Sequence, residues 1–94
     1  EENRPLIYIG SMGDEGFIKA QQISYSLRQK GIYVEYDIVK RSVKAQLKYA
    51  DKINAKYVII IGDNEIETDK VNLKDMDKSE QREIFLSSLE KEIL

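Results

Sequence analysis

The side chains able to do chemistry in this sequence are carboxylates, amines and three closely spaced glycines. With no histidine and no cysteine in its 94 residues, imidazole acid–base catalysis, thiolate nucleophiles, thiolate metal sites and disulfides are excluded together. Four constellations remain. The first is "GSMGDEG", with Gly10, Gly13 and Gly16 standing where a phosphate loop would stand, after an apolar run and before a helical pattern. Its spacing fits neither the dinucleotide fingerprint nor the GxxxxGK[ST] loop, and Asp14 and Glu15 place negative charge where a phosphate would sit. A plain strand-to-helix turn is the better reading. The second is the acidic group Asp63, Glu65, Glu67 and Asp69, a donor set suited to a divalent cation or an acid–base pair. It lacks the glycine and closing glutamate of an EF-hand loop, and a solvated loop is its ordinary reading.

The third constellation is basic. Lys44, Lys48 and Lys52 recur every four residues, one stripe along a helix, and Lys40 and Arg41 precede them. Such a stripe repels itself. It is either a wet face balanced by Asp37 and Asp51 or a set of point charges for the phosphates of a nucleic acid. The fourth is the pair Glu65 and Lys74, brought close if the strands bearing them are joined by a hairpin. A cross-strand ion pair is one reading. The other is base-edge recognition, with the carboxylate accepting from amino groups and the amine donating to carbonyl and ring-nitrogen acceptors. Charge and spacing alone fit both.

The elements that would position these groups follow from periodicity. "RPLIYIG" (4–10) is a short apolar strand closed by glycine. From Asp14, placed to cap, to Lys30 the pattern is helical, with Phe17, Ala20, Ser24 and Leu27 on one face beside Ile23, and Gly31 as the left-handed stop. "IYVEYDI" (32–38) alternates, Ile32, Val34, Tyr36 and Ile38 against Tyr33, Glu35 and Asp37. Ser42 is placed to cap a second helix reaching about Ile53, with Val43, Leu47, Ala50 and Ile53 as its core face. "KYVIIIG" (56–62) has the unbroken apolar run of a central strand. "KVNLKDM" (70–76) alternates, with "TDK" before it and "DKSE" after it as hairpin turns. A short strand at 81–84 and a C-terminal helix follow, Ser87 and Glu90 having capping-box spacing. The order βαβαβββα implies an α/β fold: a mixed, roughly five-stranded sheet with three helices, the first strands joined by parallel crossovers.

The totals bound the rest. The chain holds one compact domain. Its 41% hydrophobic and 34% charged composition is that of a globular protein, and no apolar run approaches the roughly 20 residues of a membrane span. The polar start "EEN" resembles neither a signal nor a transit peptide, and a first residue of Glu suggests a piece of a longer protein. A net charge of −2 means that any nucleic-acid role needs a local positive patch on an acidic body.

"KRSVKAQLKYADKINAKYVIIIGDNE", followed by "VNLKDM" and "EQ", resembles the C-terminal anticodon-binding domain of class II aminoacyl-tRNA synthetases, the histidyl enzymes most closely. The residues that carry the likeness run from Arg41, Lys44, Gln46, Leu47, Lys48, Tyr49 and Ala50 through Ala55, Gly62 and Glu65 to Val71, Lys74, Asp75, Met76, Glu80 and Gln81. Ser79 and Asn54 stand where the family often has glycine. The threonyl, prolyl and glycyl enzymes carry a similar domain. What the resemblance implies is a single non-catalytic domain over residues 1–94 that binds the tRNA anticodon stem–loop, with unstacked bases lying against one sheet face. It implies anticodon contacts from Lys40, Arg41, Glu65 and Lys74, to which phosphate contacts from Lys44 and Lys48 are added by inference from the stripe. It further implies no cofactor in this domain, ATP and Mg2+ in a catalytic domain elsewhere in the chain, a homodimeric full-length protein, and a cytoplasmic setting away from membranes. Two rivals stand beside it. One is a protein-interaction or regulatory module of the same fold, which would expose an apolar patch on strand four and the C-terminal helix. The other is a flavodoxin-like nucleotide or small-molecule enzyme with its ligand above Gly10–Gly16 and Gly62–Glu65.

Overall fold

In the computed structural model, which describes residues 3–94, the chain runs β1 (Ile7–Ser11), α1 (Gly13–Gln29), β2 (Val34–Tyr36), α2 (Val43–Lys52), β3 (Tyr57–Ile61), α3 (Asp63–Thr68), β4 (Lys70–Asp75), β5 (Glu80–Phe85), a 3-10 turn (Leu86–Ser88) and α4 (Leu89–Ile93). Glu1 and Glu2, the start of the polar N-terminus, lie outside the described residues. One mixed sheet is ordered β2-β1-β3-β4-β5. Its first three strands are parallel, and β4 and β5 are antiparallel to their neighbours. This is the α/β architecture the periodicity predicts.

The sheet is covered unequally. One face carries the main core, in which Ile7, Ile9, Val34, Ile59, Ile61, Val71, Leu73 and Ile84 pack against Ala20 and Leu27 of α1 and Leu89 and Ile93 of α4. The opposite face carries a smaller cluster, Tyr8 and Val58 beneath Ala50 of α2 and Ala55, with Leu47, Tyr49, Ile60 and Met76 around it. That cluster stops at β3. The α2-side face of β4 and β5 is bare, so Asn72, Gln81 and Glu83 are exposed. Gly16 lets α1 come close to β3, since a Cβ there would stand 2.2 Å from the Ile61 carbonyl oxygen. Ser42 Oγ accepts from Ala45 N at 3.2 Å and caps α2 as expected. Asn54 and Ser79, the two departures from family glycines, both hold left-handed backbone (φ 61° and 54°).

Five expectations are corrected. Residues 63–68 form a fourth helix, not a loop, so β3 and β4 are antiparallel without a hairpin; "TDK" is the helix end, with Asp69 left-handed at φ 60°. Met12, not Asp14, stands at the N-cap of α1, which starts one residue earlier than expected and leaves Asp14 in its first turn. Strand two is three residues long and its alternation fails at the end: Asp37 is buried and Ile38 is exposed, because Arg41 claims the Asp37 carboxylate. In α2 a polar residue, Gln46, is buried as fully as Ala50, while Val43, Leu47 and Ile53 are only partly covered. Ser87 does not cap α4; its hydroxyl donates to Asp69 Oδ2 at 2.7 Å, tying the 3-10 turn to the end of α3.

Candidate nucleic-acid interface

The bare half of the sheet is where the paired charges meet. Lys74 sits on β4 between Val58 of β3 and Gln81 of β5, and strand alternation places Asn72 on the same side. Glu65 arrives from α3 rather than from a hairpin strand. Its Oε1 accepts from Gly62 N at 2.8 Å, half of a capping box whose other half a glycine cannot supply. Together Met12, Leu47, Val58, Ile60, Glu65, Asn72, Lys74 and Gln81 line an open depression of about 240 Å³. Its floor is aliphatic and its rim offers a carboxylate, an ammonium and two amides. Among the described residues Lys74 has no ion-pair partner, and Glu65 Oε2 has neither an ion-pair nor a hydrogen-bond partner. The cross-strand ion pair does not form, so both charges keep valences for a ligand.

Lys40 and Arg41 stand on the neighbouring rim. A second depression of about 230 Å³ is lined by Ser11, Met12, Gly13, Asp14, Lys40, Arg41, Ser42 and Val43, and Met12 borders both hollows. Lys40 Nζ reaches Asp14 Oδ1 at 3.1 Å and lies 5.1 Å from the Phe17 ring centre; the ion pair is exposed and contributes little. Arg41 is held harder. Asp37 is buried and accepts from its Nε and its backbone N, each at 2.8 Å, and the guanidinium lies 4.6 Å over Tyr49. The hydrogen bond that Arg41 donates to Asp37 holds the guanidinium's pKa above its ordinary value. Burial first, then the Asp37 charge, pushes the Tyr8 phenol up to about 12. Arg41 opposes that rise, although the Tyr8 hydroxyl has no partner within hydrogen-bond geometry.

Lys44 and Lys48 are exposed on α2, each one residue beyond Val43 and Leu47, which border the two depressions, and so roughly 100° around the helix from them. Among the described residues neither they nor Lys52 pair with Asp37 or Asp51, so the balanced-face reading of the stripe finds no ion pair. The carboxylates at 63, 65, 67 and 69 are distributed around α3 and form no metal-holding group among the described residues.

A sequence profile described as the anticodon binding domain matches residues 6–94. The chain belongs to that family. A histidine–tRNA ligase of Clostridium perfringens (strain SM101) is 50% identical over 86 residues, 92% of this chain and 21% of the relative. One from Acetivibrio thermocellus is 46% identical over 89 residues, 95% of this chain and 21% of the relative. The crystal structure of apo S. aureus histidyl-tRNA synthetase superposes with a TM-score of 0.92 at 35% identity, covering 98% of this chain and 24% of that one. The RNA binding domain of threonyl-tRNA synthetase from Cryptosporidium parvum, 20% identical with a TM-score of 0.81, shares the fold. This anticodon-binding domain spans about a fifth of the length of the ligases it matches.

Periodicity passed over several of its site residues. Asn72 and Gln81 complete the polar rim, and their register follows from alternation once β4 and β5 are paired. Gln46, quoted above only as part of a motif, is wholly buried: Oε1 accepts from Ser11 N and Nε2 donates to Ser11 O (both 2.8 Å) and to Arg41 O (2.7 Å). It extends the hydrogen bonding of β1 by one side chain and fixes the floor between the two depressions. Nothing in the local pattern signals this beyond a glutamine standing at a core position of the helical wheel.

Proposed function

We propose that this chain is the anticodon-binding part of a histidine–tRNA ligase. Its role is to hold the anticodon stem–loop so that a catalytic domain elsewhere in the polypeptide, with ATP and Mg2+, can attach histidine to the tRNA. The observation that carries this is the bare half-sheet. Glu65, Asn72, Lys74 and Gln81 ring an aliphatic floor and keep unused donors and acceptors, in a chain whose relatives at 50% and 46% identity are histidine–tRNA ligases. Single-stranded RNA is read by splaying bases onto such a surface and bonding their edges. Lys74 suits carbonyl and ring-nitrogen acceptors, Glu65 suits exocyclic amino groups, and the two amides serve either. Lys40, Arg41, Lys44 and Lys48 flank this surface and supply a local run of positive charge on a chain of net charge −2, positioning the backbone without reading sequence. The full-length protein is expected to be a homodimer working in the cytoplasm. No helix among the described residues is long and apolar enough to cross a membrane.

The protein-interaction reading fares worse. Its apolar patch on strand four is not there, because the outward residues of β4 are Lys70, Asn72 and Lys74. Fluorescence anisotropy decides between them. The chain is expected to bind a labelled RNA hairpin carrying a histidine anticodon and to bind the same hairpin with replaced anticodon bases about tenfold or more weakly, each lost bidentate contact being worth ~1–3 kcal/mol. Equal affinity for both hairpins removes the reading of bases from this domain.

A further inference from the structure

β5 is the outer strand of the sheet, and its last residue is the aromatic group of the bare face. Ile84 and Leu86 are turned into the core, 6% and 5% exposed, and alternation turns Phe85 between them outward, 56% exposed. The backbone on either side fixes that direction. Ile84 is paired with Val71, Leu86 N donates to the Asp69 carbonyl at 2.8 Å, and the Ser87 hydroxyl is bonded to the Asp69 carboxylate. Phe85 is therefore a large apolar ring held in water on a firm base. The rest of that face is Lys70, Asn72, Lys74, Gln81 and Glu83.

What lies beside the ring says what chemistry fits it. Lys70 stands directly across from Phe85 on β4. It is exposed and has no ion-pair partner among the described residues. Lys70 and Glu83 border an open hollow of about 230 Å³, which shares Glu65 and Asn72 with the depression that holds Lys74. The two hollows make one trough across β4, with Phe85 and Lys70 at the end away from Lys74. Four residues separate the two lysines, about 13 Å along the strand, too far for one nucleobase to touch both. The carboxylates bordering the hollow, Glu65 and Glu83, repel a phosphate, so Lys70 is the place for one. An aromatic face with a cation beside it, continuing a surface already suited to bases, is the chemistry of a single-stranded nucleotide site.

We infer that Phe85 and Lys70 form a further nucleotide subsite. The ring stacks one more base of the bound loop, beyond those at Glu65 and Lys74, and Lys70 takes its phosphate. This rests on the anticodon-binding reading above and extends it to two residues outside the motif that carries the family resemblance. Every base has a π-face, so the subsite adds affinity without sequence preference.

The chain has no tryptophan, so Phe85→Trp places a sole reporter at the subsite. Titrated with the anticodon hairpin, its emission is expected to be quenched by the stacked base in step with the anisotropy of the labelled RNA. Phe85→Leu keeps an apolar side chain and loses the ring. It is expected to melt as wild type does and to lose about tenfold in affinity for cognate and swapped hairpins alike, while Phe85→Tyr binds within twofold of wild type. Lys70→Gln is expected to lower the salt slope by roughly 0.7. Phe85→Leu that binds within twofold of wild type, or a bound hairpin that leaves the tryptophan emission unchanged, overturns the stacking. An unchanged salt slope overturns the phosphate contact. Sedimentation without RNA tests the other occupant: a wild-type dimer that Phe85→Leu dissociates gives the ring to a contact between copies and overturns the subsite. A wild type that binds no hairpin overturns the anticodon reading itself, and the subsite with it.

Discussion

Strands β1 and β4 lie two places apart in one sheet and use their residues in opposite ways. All five residues of β1 are buried, enclosed by α1 on one side and α2 on the other. On β4, Val71 and Leu73 face the core, while Lys70 and Asn72 face solvent with Lys74 half-covered beside them. The difference lies in how each half treats a polar group. Under α2 the buried amide of Gln46 is satisfied at both ends, because an unpaired group there forfeits its hydration. On β4 and β5 the ammonium of Lys74 and the amides of Asn72 and Gln81 are left with capacity to spare, at no such cost, because water serves them until a ligand does. The sandwiched half of the sheet spends its polar groups on structure, and the uncovered half leaves them open, as the proposed recognition surface requires.

Four substitutions sharpen or break that contrast. The largest effect is expected in the enclosed half. Gln46→Leu orphans the Ser11 N–H, which alone costs about 1–3 kcal/mol, and chemical denaturation should show that loss. A midpoint unchanged from wild type would mean that the amide is not the tie between β1 and α2. Glu65→Gln is next. It keeps an oxygen for Gly62 N and turns the other end from acceptor to donor, so the fold should hold while preference between anticodons falls by about 1–3 kcal/mol. Glu65→Ala is the poorer probe, since it also removes the cap from α3. Third, Tyr8→Phe removes a buried hydroxyl that has no partner and should cost less than about 1 kcal/mol at neutral pH. It should also change the alkaline limb. The folded phenol is pushed up from 10.0 to about 12, so the stability it contributes is intact below pH 10 and is lost as pH rises toward 12. Melting from pH 9 to 12 should fall more steeply for wild type than for the variant. The smallest effect belongs to Lys44→Ala, which should weaken cognate and swapped hairpins alike and reduce the salt slope by roughly 0.7–0.9. A selective loss would move Lys44 from the backbone contacts to the readers.

Much of this was legible in the residues. The apolar runs at 6–9 and 57–61, the helical stripe from Phe17 to Leu27, and the Ser42 cap each declare their element, and the polar turn at 77–79 is the hairpin expected there. Helix α3 was not legible for a physical reason. It buries no residue, so it has no apolar stripe to read, and it stands on Gly62, Glu65 and a left-handed Asp69. Asp37 was misplaced because strand alternation knows nothing of a partner four residues on. Of the site, Glu65 and Lys74 were visible as charges; that their rim is completed by Asn72 and Gln81 becomes visible only with the strand pairing.

The claim that the uncovered half-sheet is the RNA surface is tested most directly by titrating the isotope-labelled chain with the anticodon hairpin and following its amide resonances. The account predicts that the side-chain amides of Asn72 and Gln81 and the backbone of Val58, Ile60 and Lys74 shift first and furthest, with Leu27, Leu89 and Ile93 unmoved. Largest shifts along α1 and α4, with β4 silent, would contradict it.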